Sequence, residues 1–341
     1  MRKRLNLKIV DFDGAPGALS VLRKRLERYY ELVETDQPDW ILYSVFGQEH
    51  LKYNDCIKIF WSGENQTPDF NLCDYGLSFD HIEFGDRYLR LPLWVLYDKD
   101  TTALKNKHLQ ASLASKDSFC SFVYSNSNAS PERGEMLEAL NGYKTVNSGG
   151  RYKNNVGGPV ADKLAFQQKH KFAIAFENAS HEGYTTEKLV QAFAAGTVPI
   201  YWGDPRVGET FNEDAFINCL HYPDWEAVVR RVKEIDEDDA LWLKMVQTPA
   251  LREADTVEKL LDSIDQFLQH IFDQEPLQAR RFSRDYWALK QLHQRQRERR
   301  AYERSFRGRM QTFTNRYIFP FARKHEKLWL VFKSLAKKLN V

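Results

Sequence analysis

The sequence predicts an α/β protein made of two nucleotide-binding-type α/β domains facing a cleft, followed by a basic helical tail. Three observations carry that prediction. Strand-like and helix-like segments alternate through the N-terminal part, the alternation restarts at the run CSFVYSN (Cys120–Asn126), and the stretch from Phe172 to Pro205 reads strand–loop–helix–strand. A chain of 341 residues is long for one hydrophobic core and comfortable for two. The expected boundaries are 1–117 for the first domain, 118–277 for the second and 278–341 for the tail.

In order along the chain, LKIVDF (Leu7–Phe12) is a strand and ALSVLRKRLERYYELV (Ala18–Val33) a helix. WILYSVF (Trp40–Phe46) and CIKIFW (Cys56–Trp61) are further strands, and Glu64 follows the second of them directly. Residues 98–117 are polar and lack an apolar period, so they read as a connecting segment. The second series is a strand at Cys120–Asn126, a helix at Glu132–Leu140, the NSGGR loop (Asn147–Arg151), a further helix and the strand Phe172–Phe176. That strand stops at a polar loop; a helix then begins near Thr186, ends at Gly196 and leads into the strand Val198–Trp202. Helical segments near Trp225–Glu234 and Thr256–Phe272 are expected to close this domain.

The polar residues between Phe176 and Leu189 sit where open α/β sheets bind ligands, in the crevice beyond the carboxyl ends of the strands. Exposed N–H groups at the start of a helix favour a phosphate there. Glu187 and Lys188 place a carboxylate and a cation side by side, and Asn178 and Tyr184 add neutral polar contacts. Together they suggest a nucleotide-diphosphate pocket.

These residues also fall in a recognisable order. FEN (Phe176–Asn178), TEK (Thr186–Lys188) and VPIYWG (Val198–Gly203) resemble the donor-site motif of the α1,3-fucosyltransferases of glycosyltransferase family 10, in their bacterial, Lewis-antigen-type form. FWSGENQTPDFNLCDYGLSFD (Phe60–Asp80) and DRYLRLP (Asp86–Pro92) resemble that family's acceptor-domain motif, and Ser121–Gly158 its inter-motif region. The resemblance runs from about Cys56 to about Asp224 and implies the GT-B architecture, with GDP-β-L-fucose as donor and a LacNAc-type glycan hydroxyl as acceptor.

It also implies roles. Inverting transfer needs a base for the acceptor hydroxyl and positive charge for the departing diphosphate. Glu64 matches the proposed base; its plain reading is a surface turn acid. Arg151, after Gly149 and Gly150, matches an arginine on the donor's phosphates, where a guanidinium forks onto two oxygens. Lys188 matches a phosphate-binding lysine, and a cation in a helix's first turn opposes the helix dipole, which argues for a functional reason. Glu187 is expected on the ribose hydroxyls, against the plain reading of a helix-start acid. Asn178 and Tyr184 match positions lining the GDP pocket. Asn126 and Arg133 lie in matching segments but read equally well as a turn residue and a helix-surface charge.

Two Asp-x-Asp strings, Asp11-Phe12-Asp13 and Asp236-Glu237-Asp238, spell the metal–diphosphate signature of the other large glycosyltransferase fold. Such strings are common by chance, and Lys188 with Arg151 can offset a diphosphate alone, so no metal or other cofactor is expected to be essential.

The net charge of +2 conceals an asymmetry: residues 279–341 carry 18 Lys and Arg against 4 acids, leaving an acidic body and a basic tail. In the last segment Leu328, Val331, Phe332, Leu335 and Leu339 share a helical face with lysines off it, the pattern of an interfacial amphipathic helix. The tail carries acids at helical offsets and matches no RNA-binding motif, so an anionic membrane surface is the expected partner rather than nucleic acid. The first apolar run is too short for a signal peptide or a spanning helix, and Cys56, Cys73, Cys120 and Cys219 are scattered without a CxxC pair. The expectation is a cytoplasmic enzyme held at the inner face of the membrane in surface-glycan or lipopolysaccharide synthesis. A homo-oligomer stays open. The competing readings are a GT-B transferase using another nucleotide sugar, and a membrane-associated binding protein without turnover.

Overall fold

The computed structural model describes residues 2–12, 16–105, 113–282 and 286–313. The chain divides into two compact units, Met1–Phe282 and Ser283–Val341.

The first unit opens with strand β1 (Lys3–Val10), helix α1 (Pro16–Tyr29), and strands β2 (Tyr30–Val33), β3 (Trp40–Tyr43), β4 (Ile57–Trp61), β5 (Tyr75–Ser78) and β6 (Tyr88–Arg90). They form one sheet in the order β2-β1-β3-β4-β5-β6, with every neighbouring pair parallel. After helix α2 (Asp98–Lys105) a second sheet begins with β7 (Ser118–Phe122), α3 (Glu132–Asn141), β8 (Val146–Ser148), α4 (Lys163–Gln168) and β9 (His170–Phe176). It continues through α5 (Glu187–Ala194), β10 (Val198–Trp202) and β11 (Ile217–Asn218), and its order is β11-β10-β9-β7-β8, again all parallel. Helices α6 (Trp225–Glu237), α7 (Asp239–Gln247) and α8 (Thr256–Phe272) follow.

Parallel strands are covered on both faces, so they read as unbroken apolar runs. Ile57–Trp61 and Val198–Trp202 are buried at every position. The less obvious strands have another signature. YELV ends the expected first helix as β2, because its backbone pairs with Lys3–Asn6. Tyr75–Ser78, with a glycine and a serine among four residues, holds its place through pairing with β4 and β6. Residues 98–105 form α2 rather than a connection; Thr101 and Leu104 are buried where it packs on α5.

Helix α8 departs from the expected division. Its residues Val257, Ile264, Leu268, Ile271 and Phe272 join a core that holds Leu5, Trp40 and Tyr75 of the first sheet and Ala173, Ala175 and Tyr201 of the second, and the helix itself packs on α1 and β6. Phe272 meets Trp40 edge-on at 5.0 Å, and Asp265 takes a bidentate pair of bonds from the buried Arg25 of α1, at 2.7 and 2.8 Å. The chain then stays on the first sheet, where the Arg281 N–H donates to Asp74 and its guanidinium pairs with Asp86 at 2.7 Å.

The second unit contains α9 (Tyr286–Arg304) and α10 (Phe306–Phe313), with Ser305 Oγ accepting from the Gly308 N–H at 3.0 Å between them. The apolar face expected at residues 328–339 lies outside the described residues. Among the described residues no helix is long and apolar enough to cross a membrane.

Candidate active site

The carboxyl end of β9 is tied to that of β10 by the Glu177 N–H, which donates to the Trp202 carbonyl at 2.9 Å. The Glu177 side chain is fully buried, and its carboxylate holds the start of α5: it accepts from the Thr186 N–H at 2.8 Å and the Thr186 hydroxyl at 2.6 Å. The Thr186 N–H would otherwise be among the unsatisfied backbone groups of the helix terminus. Lys188 Nζ donates to Glu177 at 3.0 Å and to Thr186 Oγ1 at 2.7 Å, and stands 3.4 Å from Glu187.

Burial works against the Lys188 ammonium, but Glu177 and then Glu187 outweigh it and hold its pKa above the ordinary lysine range. Burial likewise pushes Glu187 up, and Lys188 and Lys163 outweigh it, keeping that carboxyl below its ordinary range. Glu177 itself is raised by burial, with Lys188 offsetting only part of the effect. The cluster thus keeps a cation at the cleft within a network of two carboxylates.

The intervening loop is fixed by Asp204, whose buried carboxylate accepts from the Gly183 N–H at 2.7 Å, Thr185 Oγ1 at 2.9 Å and the Arg206 N–H at 2.8 Å. Gly183 has φ +80, and a Cβ there would sit 2.3 Å from the Phe79 carbonyl, so glycine is required both by conformation and by close contact with the first sheet's loop. Next to it Tyr184 is buried against Phe79 with ring centroids 5.0 Å apart, its hydroxyl pushed above the ordinary range by burial and then by Glu177.

Arg133, read from sequence as a helix-surface charge at least as readily as a site residue, is only 2% exposed. Its guanidinium lies 4.0 Å over the Tyr124 ring and donates to the Phe176 carbonyl at 3.1 Å and to Asn178 Oδ1 at 2.8 Å. Arg133 therefore sets which end of the Asn178 amide is free to turn toward the cleft.

The cleft between the two sheets' carboxyl ends encloses about 170 Å3. Asn178, Tyr184, Thr186, Glu187 and Lys188 line it from the second sheet, and Ser44, Trp61, Gly63 and Glu64 from the first. Glu64 is exposed in the turn after β4, where its N–H donates to Ser62 Oγ at 3.0 Å. Of the six residues singled out from sequence, five come together here. Arg151 is exposed and lies outside this lining. It follows Gly150, whose Cβ would collide with the Tyr124 carbonyl at 1.9 Å, so the glycine brings the turn tightly onto the end of β7.

Glu177 was not singled out from sequence, although it stands in the FEN motif. Its signal was a carboxylate directly after an apolar strand, where it must be buried and must have a cationic or N–H partner.

The Asp-x-Asp strings have structural partners. Asp11 accepts from the N–H groups of Glu49 and His50 and pairs with the His50 ring at 2.5 Å, while Asp13 lies outside the described residues. Asp236 pairs with Lys144 and Lys171, and Asp238 caps α7 through the Ala240 and Leu241 N–H groups. All four cysteines are buried free thiols.

Two parallel sheets with a charged cleft at their facing carboxyl ends form the GT-B arrangement. Comparison with known proteins narrows the class. Residues 7–97 match the alpha-(1,3)-fucosyltransferase FucT N-terminal domain, and residues 113–262 match the C-terminal domain of glycosyltransferase family 10 (fucosyltransferase). The chain belongs to glycosyltransferase family 10. It is 33% identical over 276 residues to alpha-(1,3)-fucosyltransferase FucT of Helicobacter pylori, an alignment covering 69% of this chain and 57% of that protein. GDP-fucose protein O-fucosyltransferase 3 of Xenopus tropicalis is 28% identical over 50% of this chain and 40% of its own length. The chain thus spans about half the length of these relatives.

Among solved structures, an alpha1,3-fucosyltransferase with GDP superposes with a TM-score of 0.70 at 28% identity, covering 80% of this chain and 92% of that one. An alpha1,3-fucosyltransferase with GDP-fucose superposes with a TM-score of 0.63 at 26% identity, covering 78% of this chain and 91% of that one. Anabaena HepE with UDP and glucose, at 10% identity and a TM-score of 0.51, shares the fold alone; it covers 79% of this chain and 100% of that one.

Proposed function

We propose that this protein is an inverting α1,3-fucosyltransferase that moves L-fucose from GDP-β-L-fucose to a GlcNAc or Glc hydroxyl of a LacNAc-type glycan. The observation that carries this is the opposition, across one cleft, of Glu64 on the first sheet's side and the Glu187–Lys188 pair on the second's. The GDP and GDP-fucose complexes of similar structures support the donor, and the match to both family domains supports the reaction.

In this mechanism the acceptor hydroxyl attacks the anomeric carbon from the face opposite the diphosphate. Glu64 takes the proton as the C–O bond forms, since the hydroxyl becomes acidic only along that step. Electron density passes to the bridging phosphate oxygen, GDP leaves, and Lys188 stabilises the growing negative charge. Arg151 serves the same end from the tight turn beyond β7, Glu187 accepts from the ribose hydroxyls, and Asn178 and Tyr184 hold the nucleotide. The partners already held by Asp11, Asp236 and Asp238 support a reaction in which no Asp-x-Asp pair carries a metal on the diphosphate. The basic tail holds the enzyme at the anionic inner membrane face, where lipid-linked glycans or lipopolysaccharide precursors are built; its composition supports that role.

The test is GDP release from GDP-fucose with lactose, N-acetyllactosamine and its β1,3 isomer as acceptors, with and without excess EDTA. The expected result is release that depends on GDP-fucose, favours N-acetyllactosamine and survives EDTA. Release only with another nucleotide sugar, or metal-reversible loss in EDTA, would overturn the donor or the metal-free step respectively.

A further inference from the structure

The segment that joins the two sheets brings one more polar group to the cleft. Strand β6 leads through a short 3-10 turn, Leu93–Leu96, into α2, and Tyr97 stands between the turn and the helix. Its backbone is fixed from both sides. The Tyr97 N–H donates to the Trp94 carbonyl at 3.2 Å, and its own carbonyl accepts from the Asp100 and Thr101 N–H groups, both at 2.9 Å. Helix α2 is in turn stitched onto α5: Asp100 accepts from Gln191 Nε2 at 3.0 Å, and Gln191 Oε1 accepts from Lys163 Nζ at 2.7 Å. Tyr97 is thereby held where it lines the cleft together with Glu187 and Lys188.

The side chain is only partly buried, and among the described residues its hydroxyl has no hydrogen-bond partner. Unlike the sealed Trp61 indole nitrogen, that oxygen keeps accessible surface. Burial keeps the phenol protonated, and the charge acting on it most strongly is the Glu187 carboxylate, ahead of Lys188, Asp100 and Glu177. The hydroxyl end of the side chain therefore faces the Glu187 side of the cleft. A phenol with a free O–H and a carboxylate that is acceptor-only make a selective pair. An alcohol satisfies both, because its O–H donates to the carboxylate while its oxygen accepts from the phenol. A phosphate oxygen has no proton to give, and Glu187 repels it.

We propose that Tyr97 is a donor-binding residue: its O–H donates to the ribose hydroxyl that itself donates to Glu187, so that one sugar oxygen is held from the joining segment and from the second sheet at once. The assignment rests on the reading of Glu187 as the acceptor for the ribose of the donor nucleotide.

Calorimetric titration of the full-length protein with GDP, and with the two GDP analogues that each lack one ribose hydroxyl, tests it. Tyr97→Phe removes the hydroxyl and keeps the ring. It weakens GDP binding about 3–10-fold, the worth of one neutral hydrogen bond. It weakens binding of the analogue lacking the contacted hydroxyl by less than about twofold, since the partner is already gone and the two deletions are not additive. The analogue that keeps that hydroxyl loses as much as GDP does. The thermal midpoint without nucleotide is unchanged, because the deleted group bonds no described residue. GDP affinity in Tyr97→Phe within about twofold of wild type overturns the proposal. Equal weakening for GDP and both analogues, with or without a lowered midpoint, takes the hydroxyl away from the ribose and overturns it as well. If the wild-type protein binds UDP but not GDP, and Tyr97→Phe weakens UDP binding with the same dependence on one ribose hydroxyl, the contact stands and the GDP-fucose reading falls.

Discussion

Lys188 is bound to Glu177 and close to Glu187, so removing it does two things at once. Lys188→Ala removes the cation proposed to face the leaving group, and it also strands the fully buried Glu177 carboxylate. Breaking one partner of a buried pair costs about 3–5 kcal/mol of stability, and Lys188→Ala is expected to show a loss of that size in urea unfolding together with weakened GDP-fucose turnover. The double variant Lys188→Ala with Glu177→Gln should recover most of the stability and none of the turnover. Recovery of both would mean that Lys188 serves only to neutralise Glu177. Glu64 has no such structural burden, being exposed in a turn. Glu64→Gln should leave GDP-fucose affinity nearly unchanged, measured by calorimetry, while cutting turnover by about 10²–10⁴-fold; a fall of less than about fivefold would make it a turn residue.

The proposed site residues that were legible in the sequence share one property. Glu64, Asn178, Tyr184, Glu187 and Lys188 all lie within a few residues of a strand's carboxyl end or a helix's start, where local pattern alone fixes the position. Arg133 and Glu177 were harder to read because their roles depend on contacts distant in sequence: Arg133 with Asn178 across 45 residues, and Glu177 with Lys188 across 11.

At the scale of elements, apolar runs bounded by polar loops revealed β3, β4, β9 and β10, while β2, β5, β6 and β8 are three or four residues long and exist because a neighbour pairs with them. Helix α8 is the informative difference. Its apolar face is plain in the sequence, but an amphipathic helix does not state which sheet it will cover. The choice is made by Asp265, which accepts both Arg25 N–H groups, and by Phe272 against Trp40. Asp265→Ala leaves the Arg25 guanidinium buried without its carboxylate and is expected to destabilise the protein by about 3–5 kcal/mol. Chemical denaturation measures the loss. Hydrogen exchange should place the loosening in α1 and α8, with the second sheet's strands keeping their protection; a change below about 1 kcal/mol would show that apolar packing alone holds α8.

For the whole molecule, the charge asymmetry in the sequence and the division of the chain fall close together: the basic segment begins near residue 279, and the second unit at Ser283. The few residues between them matter to any truncation. Arg280 and Arg281 count toward the basic segment by composition, but Arg281 is bound to Asp74 and Asp86 of the first unit, and Ala279 is fully buried in its core. A cut near residue 277 would therefore damage the catalytic body, whereas a cut after Phe282 removes only the second unit. The protein ending at Phe282 should remain folded and keep its turnover on a soluble trisaccharide-sized acceptor, since every proposed site residue lies before the cut. It should lose binding to anionic vesicles, which in the full chain weakens as salt rises, because attraction of the Lys and Arg side chains to a charged leaflet is screened over about 8 Å at physiological ionic strength. In the full chain, Val331→Asp with Leu335→Asp should reduce vesicle binding while leaving the basic residues in place, because that change acts on apolar insertion and not on charge. Vesicle sedimentation at two salt concentrations reads both effects. Equal binding by the truncated and full-length chains would remove the membrane role from the tail. Loss of folding on truncation after Phe282 would show instead that the second unit helps to hold the catalytic body together.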